Sequence, residues 1–461
     1  MKVHRGFGPT RVPRWVALVA VAALGVATAG CSRSSSGGGG GASASPSASS
    51  SSTSAGKGDF GDVKAICGPG TAKGATGRGV TNTEIHIGTM SDTGAAAAPG
   101  LEQEFFDAGD AFVKWCNTAG GINGRTIVLD KWDSKLFNVG QQTVNACQKD
   151  FMLVGGGNAF DSAGVKPRLA CKLGQIPAYV VSPEAVDAGL QVKPTPTIPT
   201  QFAYGAIRLM TLAFPDSKSQ GVAVGSSTLS SLIPVGKRAQ EALKSDGIKV
   251  TALQEKPPLV DNYRPYMEQL KGLGTVGLYE FSGQDITPEI QAMKNISWNP
   301  QWLLFSTQFY TPQTVQAAKA LGTFPPVYVG LGHLPFELAD QFPVLRQIKA
   351  QLTAAVANPR FTEFTQLSYS AWALWAQSAT ACGSNLTQDC VLQKAGSHTD
   401  WTGGGITPPV STDPAAKAIS DCELIIKLTP TGWVYDKKTT NPNNGVYNCD
   451  PKNTAAVQSY Q

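Results

Sequence analysis

From residue 84 onward the chain alternates short apolar runs with segments whose apolar residues recur every three or four positions. EIHIGTM (84–90) has the length of a buried strand and ends in the loop SDTGAAAAPG. In the next segment Phe105, Gly109, Phe112, Val113 and Cys116 share one helical face, and Glu102, Glu104, Asp107 and Asp110 favour the helix N-terminal end. AGGINGR (119–125) stops this helix with glycines, and TIVLDKWDS (126–134) resumes as a strand. The alternation continues with a helix at 139–151, strand MLVGGG (152–157), a helix at 162–173 and strand IPAYVVS (176–182). A second set opens at QGVAVGSS (220–227). It runs through helix 234–245, strand 248–254, helix 262–272, strand TVGLYEF (275–281), helix 287–296 and strand QWLLFS (301–306).

Strands separated by such helices predict an α/β protein with parallel sheets covered on both faces. The Pro- and Thr-rich stretch KPTPTIPTQ (193–201) divides the two sets, and a return to the first is expected near PPVYVGL (325–331). The chain then crosses between two lobes more than once. Open parallel sheets bind ligands beyond the carboxyl ends of their strands, so two facing lobes make a cleft lined by loops. Trp372 and Trp375 lie on an apolar helix (366–381), which places them in the core rather than on a carbohydrate-stacking surface.

The first 31 residues have a different pattern. Lys2, Arg5, Arg11 and Arg14 precede the uncharged run WVALVAVAALGVATAG, which ends directly before Cys31. This is the layout of a secretory signal and is too short to span a bilayer comfortably. Thr28-Ala29-Gly30-Cys31 resembles a bacterial lipobox, with Thr28 where an aliphatic residue is usual, which implies lipidation of Cys31. Residues 31–58, nearly all Ser, Gly, Ala and Thr after the cysteine, cannot bury a core and read as a flexible tether. The mature protein is therefore expected on the extracytoplasmic face of the cell membrane, held by lipid.

Composition narrows the function. Four of the 38 basic residues and none of the 33 acidic ones precede Cys31, leaving 34 against 33 and no basic field for nucleic acid. Eight cysteines remain after Cys31, an even number suited to an oxidising compartment. Spacing suggests Cys147–Cys171, Cys382–Cys390 and Cys422–Cys449, which leaves Cys67 with Cys116, among the roughly 105 pairings that eight cysteines allow. There is no CxxC pair and the four histidines are scattered, so no metal site is expected. GxxxxGK[ST], GxSxG and HExxH are absent, and Gly155-Gly156-Gly157 lacks dinucleotide-fingerprint spacing. No cofactor and no catalysis are expected.

The order of strand, Thr/Ser-rich loop, helix, AGGINGR, strand ending in an acidic residue, and the later IPAYVVSP resembles the branched-chain amino acid (Leu/Ile/Val-binding) type of ABC transporter solute-binding lipoprotein. The resemblance covers about residues 80–435 and implies the type I periplasmic binding protein fold, two Rossmann-like lobes joined by a three-segment hinge. By analogy, lobe 1 comprises 59–200 plus 326–402, lobe 2 comprises 201–325 plus 403–440, and 441–461 form a tail. The crossovers fall near Pro199–Phe202, Phe324–Val327 and Trp401–Ile406. The family captures a small solute between its lobes and passes it to an ABC permease with separate ATPase subunits, here as a monomer. A ligand sensor using the same clamp is the alternative; an extracellular hydrolase ranks last.

Family ligand positions map onto Asp92, Thr93 and Pro99 after the first strand, Asn158, Phe160, Asp161 and Ser162 after the third, and Ser182, Glu184 and Ala185 after the fourth. The second lobe supplies Ser230, Tyr279, Phe281, Ser306, Gln308 and Phe309. NAFDS replaces the family's run of hydroxyls, and Gln308 stands where an acidic residue often meets an α-ammonium, which puts an ordinary α-amino acid ligand in question. Asp161 and Glu184 can accept from an ammonium, and Asn158, Ser182 and Ser306 can donate to a carboxylate. The aromatics suit an amide, an aromatic acid or a larger apolar solute. Phe281 equally suits the core, and Asp92 can instead cap a helix.

Overall fold

Four parallel strands and the helices between them build the first lobe. In the computed structural model, which describes residues 56–460 apart from positions 97 and 284, these are β1 (Glu84–Ser91), α1 (Gln103–Ala119), β2 (Thr126–Asp133), α2 (Val139–Lys149), β3 (Met152–Val154), α3 (Ser162–Ala170), β4 (Gly174–Ile176) and the short α4 (Pro183–Val186). The sheet order is β2-β1-β3-β4. The signal segment, Cys31 and nearly all of the tether lie outside the described residues.

The chain then enters the second lobe through β5 (Gln201–Ala203), α5 (Gly205–Ala213) and α6 (Asp216–Gln220). Next come β6 (Val222–Ser227), α7 (Ile233–Ser245), β7 (Val250–Lys256), α8 (Arg264–Gly272), β8 (Gly277–Glu280), α9 (Thr287–Asn295), β9 (Trp302–Phe305), α10 (Pro312–Leu321) and β10 (Val327–Leu331). Helices α11 (Pro343–Ala355), α12 (Glu363–Cys382) and α13 (Gln388–Ala395) return to the first lobe, where α11 and α12 pack on α1. The chain ends in the second lobe with β11 (Cys422–Thr429), β12 (Gly432–Tyr435), α14 (Lys437–Thr440), β13 (Asn448–Cys449) and β14 (Thr454–Ala456).

Four expectations are corrected. Strand 325–331 does not return to lobe 1: β10 pairs parallel with β9 and antiparallel with β11, so the crossing follows Leu331 rather than falling at Phe324–Val327. Helix–strand alternation announces a parallel strand but not which sheet receives it. The second sheet is also mixed, because β11 and β12 form an antiparallel hairpin on its edge. Residues 441–461 are no loose tail: β13 pairs with β11, and β14 pairs with β5. The run IPAYVVS is likewise a strand only to Ile176; Ala178 then bonds the Gly156 carbonyl and the chain leaves the sheet.

The AGGINGR segment shows why its residues are what they are. Gly120, Gly121, Asn123 and Gly124 all take left-handed backbone angles, open to Gly and tolerated by Asn. This tight course buries the Arg125 guanidinium, which donates to the carbonyls of Thr81, Gly74 and Gly383 at 3.1–3.2 Å. The five apolar-face residues predicted for α1 are buried. Behind them Trp372 and Trp375 of α12 are fully buried, Trp372 stacked on Phe112 at 5.5 Å.

All eight remaining cysteines are paired: Cys67–Cys116, Cys147–Cys171, Cys382–Cys390 and Cys422–Cys449. The first ties the segment containing Phe60 and Ile66 to α1, and the last ties β13 to β11.

Candidate functional site

The loops at the carboxyl ends of both sheets face one another, and the first lobe's rim is organised around buried carboxylates. Asp92, fully buried after β1, accepts from the Leu136 N–H at 2.8 Å, the Ala159 N–H at 2.9 Å and the Ser134 hydroxyl. Asn158 donates to the Ser134 oxygen at 2.9 Å. One acid thus stitches together the loops after β1, β2 and β3. Asp161 accepts from the Val181 and Ser182 N–H groups at 2.6 and 3.1 Å, while burial pushes its carboxyl upward. Ser182 caps α4 by accepting from the Ala185 N–H at 3.2 Å. Behind this rim Asn158, Asp161, Tyr179 and Ala185 line a cavity of about 50 Å³.

On the second lobe, Ser306 donates to Gln308 at 2.7 Å, and Gln308 donates to the Phe281 and Gly283 carbonyls at 2.9 and 3.2 Å. These bonds tie the loop after β8 to the loop after β9. Phe281 packs on Tyr279 at 5.7 Å and Phe309 on Phe305 at 4.7 Å. The lobes touch where Ser231 donates to the Ala159 carbonyl at 2.7 Å and where Thr307 donates to Glu363 at the start of α12.

Beside the second contact lies a larger cavity, about 220 Å³, at the carboxyl ends of β8, β9 and β10 and the starts of α5 and β11. Tyr204, Tyr279, Ser306, Thr307 and Glu423 line it from the second lobe and Glu363 from the first. Gly330 in its floor is required by close approach, since a Cβ there would stand 2.2 Å from that of Ala206. Glu363 is well supplied with donors: the Gly332 and His333 N–H groups at 2.9 and 3.2 Å, the His333 ring nitrogen at 3.0 Å, and Thr307. Glu423 differs. No hydrogen bond reaches its carboxyl among the described residues, and burial, followed by repulsion from Glu363, pushes it up to about 8. Burial also raises the Tyr279 phenol. Among the described residues no group of three or more His, Cys, Asp or Glu is placed to hold a metal ion.

A two-lobed α/β clamp with a polar cavity at its strand ends is the setting in which the sequence comparisons become decisive. The model of the family described as "Periplasmic binding protein" matches residues 84–425. The chain belongs to this family. No curated protein sequence matches it. Among solved structures, it resembles a fatty acid ABC transporter substrate-binding protein from Thermomonospora curvata, with 15% identity, a TM-score of 0.64, and coverage of 80% of this chain and 95% of that one. A leucine-binding protein from Thermotoga maritima is similar at 10% identity and TM-score 0.62, covering 76% and 97%. An ABC transporter solute-binding protein from Rhodopseudomonas palustris, in complex with 3,4-dihydroxybenzoic acid, is similar at 13% identity and TM-score 0.58, covering 75% and 93%. The shared architecture is the type I periplasmic binding protein fold.

Within this periplasmic binding protein the sequence-derived positions separate into groups. Tyr279 and Ser306 line the larger cavity, and Asn158, Asp161 and Ala185 the smaller one. Asp92, Ser182, Phe281, Gln308 and Phe309 hold the rim together through the contacts above, and neither cavity includes them. Asp92 caps no helix; the residue at the N-cap of α1 is Glu102. Pro99, Glu184 and Ser230 are exposed, Thr93 and Ser162 half-buried, and Phe160 packs against the exposed Phe137 at 5.3 Å. Tyr204, Glu363 and Glu423 were not anticipated. The available signal was a carboxylate directly before the apolar run LII in the strand CELIIKL, and an acid directly after the helix-capping Thr362.

Proposed function

We propose that the protein is an extracytoplasmic solute-binding protein of an ABC importer. It captures a small polar or amphipathic solute, such as an amino acid, an amide or a related organic acid, between its lobes and delivers it to a permease. The observation that carries this reading is the cavity of about 220 Å³ at the strand ends, lined from one lobe by Tyr279, Ser306 and Glu423 and from the other by Glu363. A solute touching both walls favours the arrangement in which the lobes meet, and a permease can recognise that difference. Lipid on Cys31 and the Ser/Gly tether would keep the clamp close to the membrane without fixing its orientation.

The test is a thermal-shift screen of the full chain in detergent against amino acids, amides, amines, aromatic acids and small sugars. One class should raise the melting temperature in a concentration-dependent way. A flat response to every class overturns the reading.

A further inference from the structure

The walls of the larger cavity constrain what it can hold. Two carboxyl groups, Glu363 and Glu423, the phenol of Tyr279 and the hydroxyls of Ser306 and Thr307 meet there, while Tyr204, Ile207 and Leu304 complete the lining. No Lys or Arg is among the lining residues. The nearest cation on α5, Arg208, is committed to Asp450 at 3.1 Å and to Asn453 at 3.0 Å. Glu363 has its donors inside the protein, from Thr307, the Gly332 N–H and His333. Glu423 has none, and its carboxyl lines the space.

Glu423 is half-buried, and a partly desolvated carboxylate that no protein donor reaches is stabilised best by a charged donor. An anionic group entering here would meet two acids and no cation. A protonated amine has three N–H donors and no acceptor, the complement of a wall rich in carboxyl and hydroxyl oxygens. The volume equals that of about seven water molecules at roughly 30 Å³ each, enough for an amine head with a short chain.

We propose that this cavity binds the protonated amine of the solute, with Glu423 as its counter-carboxylate and Tyr279 and Ser306 as neighbouring contacts. The inference rests on the solute-binding reading and narrows it to amine-bearing solutes. Glu423 is the specificity residue; Glu363 positions Thr307 and the Gly332–His333 backbone.

Three probes of matched length, n-butylammonium, butyramide and butyrate, test this on the full chain in detergent, wild type and Glu423→Gln, by thermal shift and titration calorimetry at pH 7. Butylammonium should stabilise the wild type where butyramide and butyrate do not. Glu423→Gln should hold or raise the ligand-free melting temperature at pH 7, since Gln has no carboxyl to keep protonated, and weaken amine binding about 10- to 100-fold, the loss of one charge-assisted hydrogen bond. Because Glu423 must ionise to pair, calorimetry in buffers of different ionisation enthalpy should show proton release on amine binding to the wild type. Should the Gln variant fold poorly, that proton release is the deciding measurement.

The proposal is overturned by no response to butylammonium, by equal amine binding in Glu423→Gln, by absence of proton release, or by preference for butyrate. A hit confined to acids or sugars in the broader screen would sink this inference while leaving the solute-binding reading intact. A flat screen would sink both.

Discussion

At the scale of single residues, polar groups in this protein divide into those that hold loops and those that face a cavity. Arg125 is the clearest of the first kind: it is fully buried and its guanidinium serves three carbonyls from separate segments. Arg125→Ala should destabilise the protein by about 3 kcal/mol, since it leaves those carbonyls short of donors and opens a void; chemical denaturation reads this directly. Arg125→Lys should recover little, because one ammonium cannot reproduce the spread of the fork. Asp92 and Gln308 belong to the same class, although their positions beside the cleft suggested ligand contacts. Sequence spacing placed them on the correct loops. It could not show that their hydrogen bonds were already taken by Leu136, Ala159, Phe281 and Gly283.

At the scale of elements, periodicity was informative wherever a segment buries one face against a sheet. The α1 face from Phe105 to Cys116 and the second-lobe units from α7 to β9 lie within a few residues of their expected ranges. It failed where pairing, not pattern, decides. The Val327–Leu331 run looks the same whichever sheet it joins, and β12 follows β11 with no helix between them. Disulfides fasten these elements with unequal effect. Cys67–Cys116 closes a span of 49 residues and Cys382–Cys390 a span of 8. Replacing the first pair by alanines should cost roughly 1.5 kcal/mol more than replacing the second, if unfolded-chain entropy dominates. Denaturant midpoints of the two double variants compare them.

At the scale of the whole molecule, two properties depend on how the lobes and their charges are arranged. Ser231 reaches across to the Ala159 carbonyl and biases the lobes toward contact. Ser231→Ala removes about 1 kcal/mol of that bias and should weaken the apparent solute affinity roughly fivefold while leaving stability nearly unchanged, as calorimetry and melting would show.

The second property is pH dependence. Glu423 is pushed up to about 8 by burial and then by Glu363, and burial drives Glu289 and Asp150 upward in the same way. In the unfolded chain such carboxyls lose their protons near pH 4 to 4.5, whereas the folded protein retains them until about pH 8. The native state therefore binds more protons across that interval, and the stability from these groups, complete below about pH 4, is lost as pH rises toward 8. The melting temperature of the ligand-free protein should fall between pH 5 and pH 8, and Glu423→Gln should flatten part of the slope. A rising profile would show that Glu423 is not held protonated.

What the chain determined on its own were the local consequences of pattern: strands and helices in α/β alternation, the left-handed turn in AGGINGR, and even cysteines at bridging distance. These depend on residues close in sequence, so their physics is visible there. Which sheet received β10, whether a polar side chain was already hydrogen-bonded, and the meeting of Glu363, Glu423 and Tyr279 around one cavity were decided only by tertiary structure. The carboxylate in the strand CELIIKL is one charge beside an apolar run until the fold surrounds it. Partial burial with no protein donor then makes it a group that a cation would stabilise.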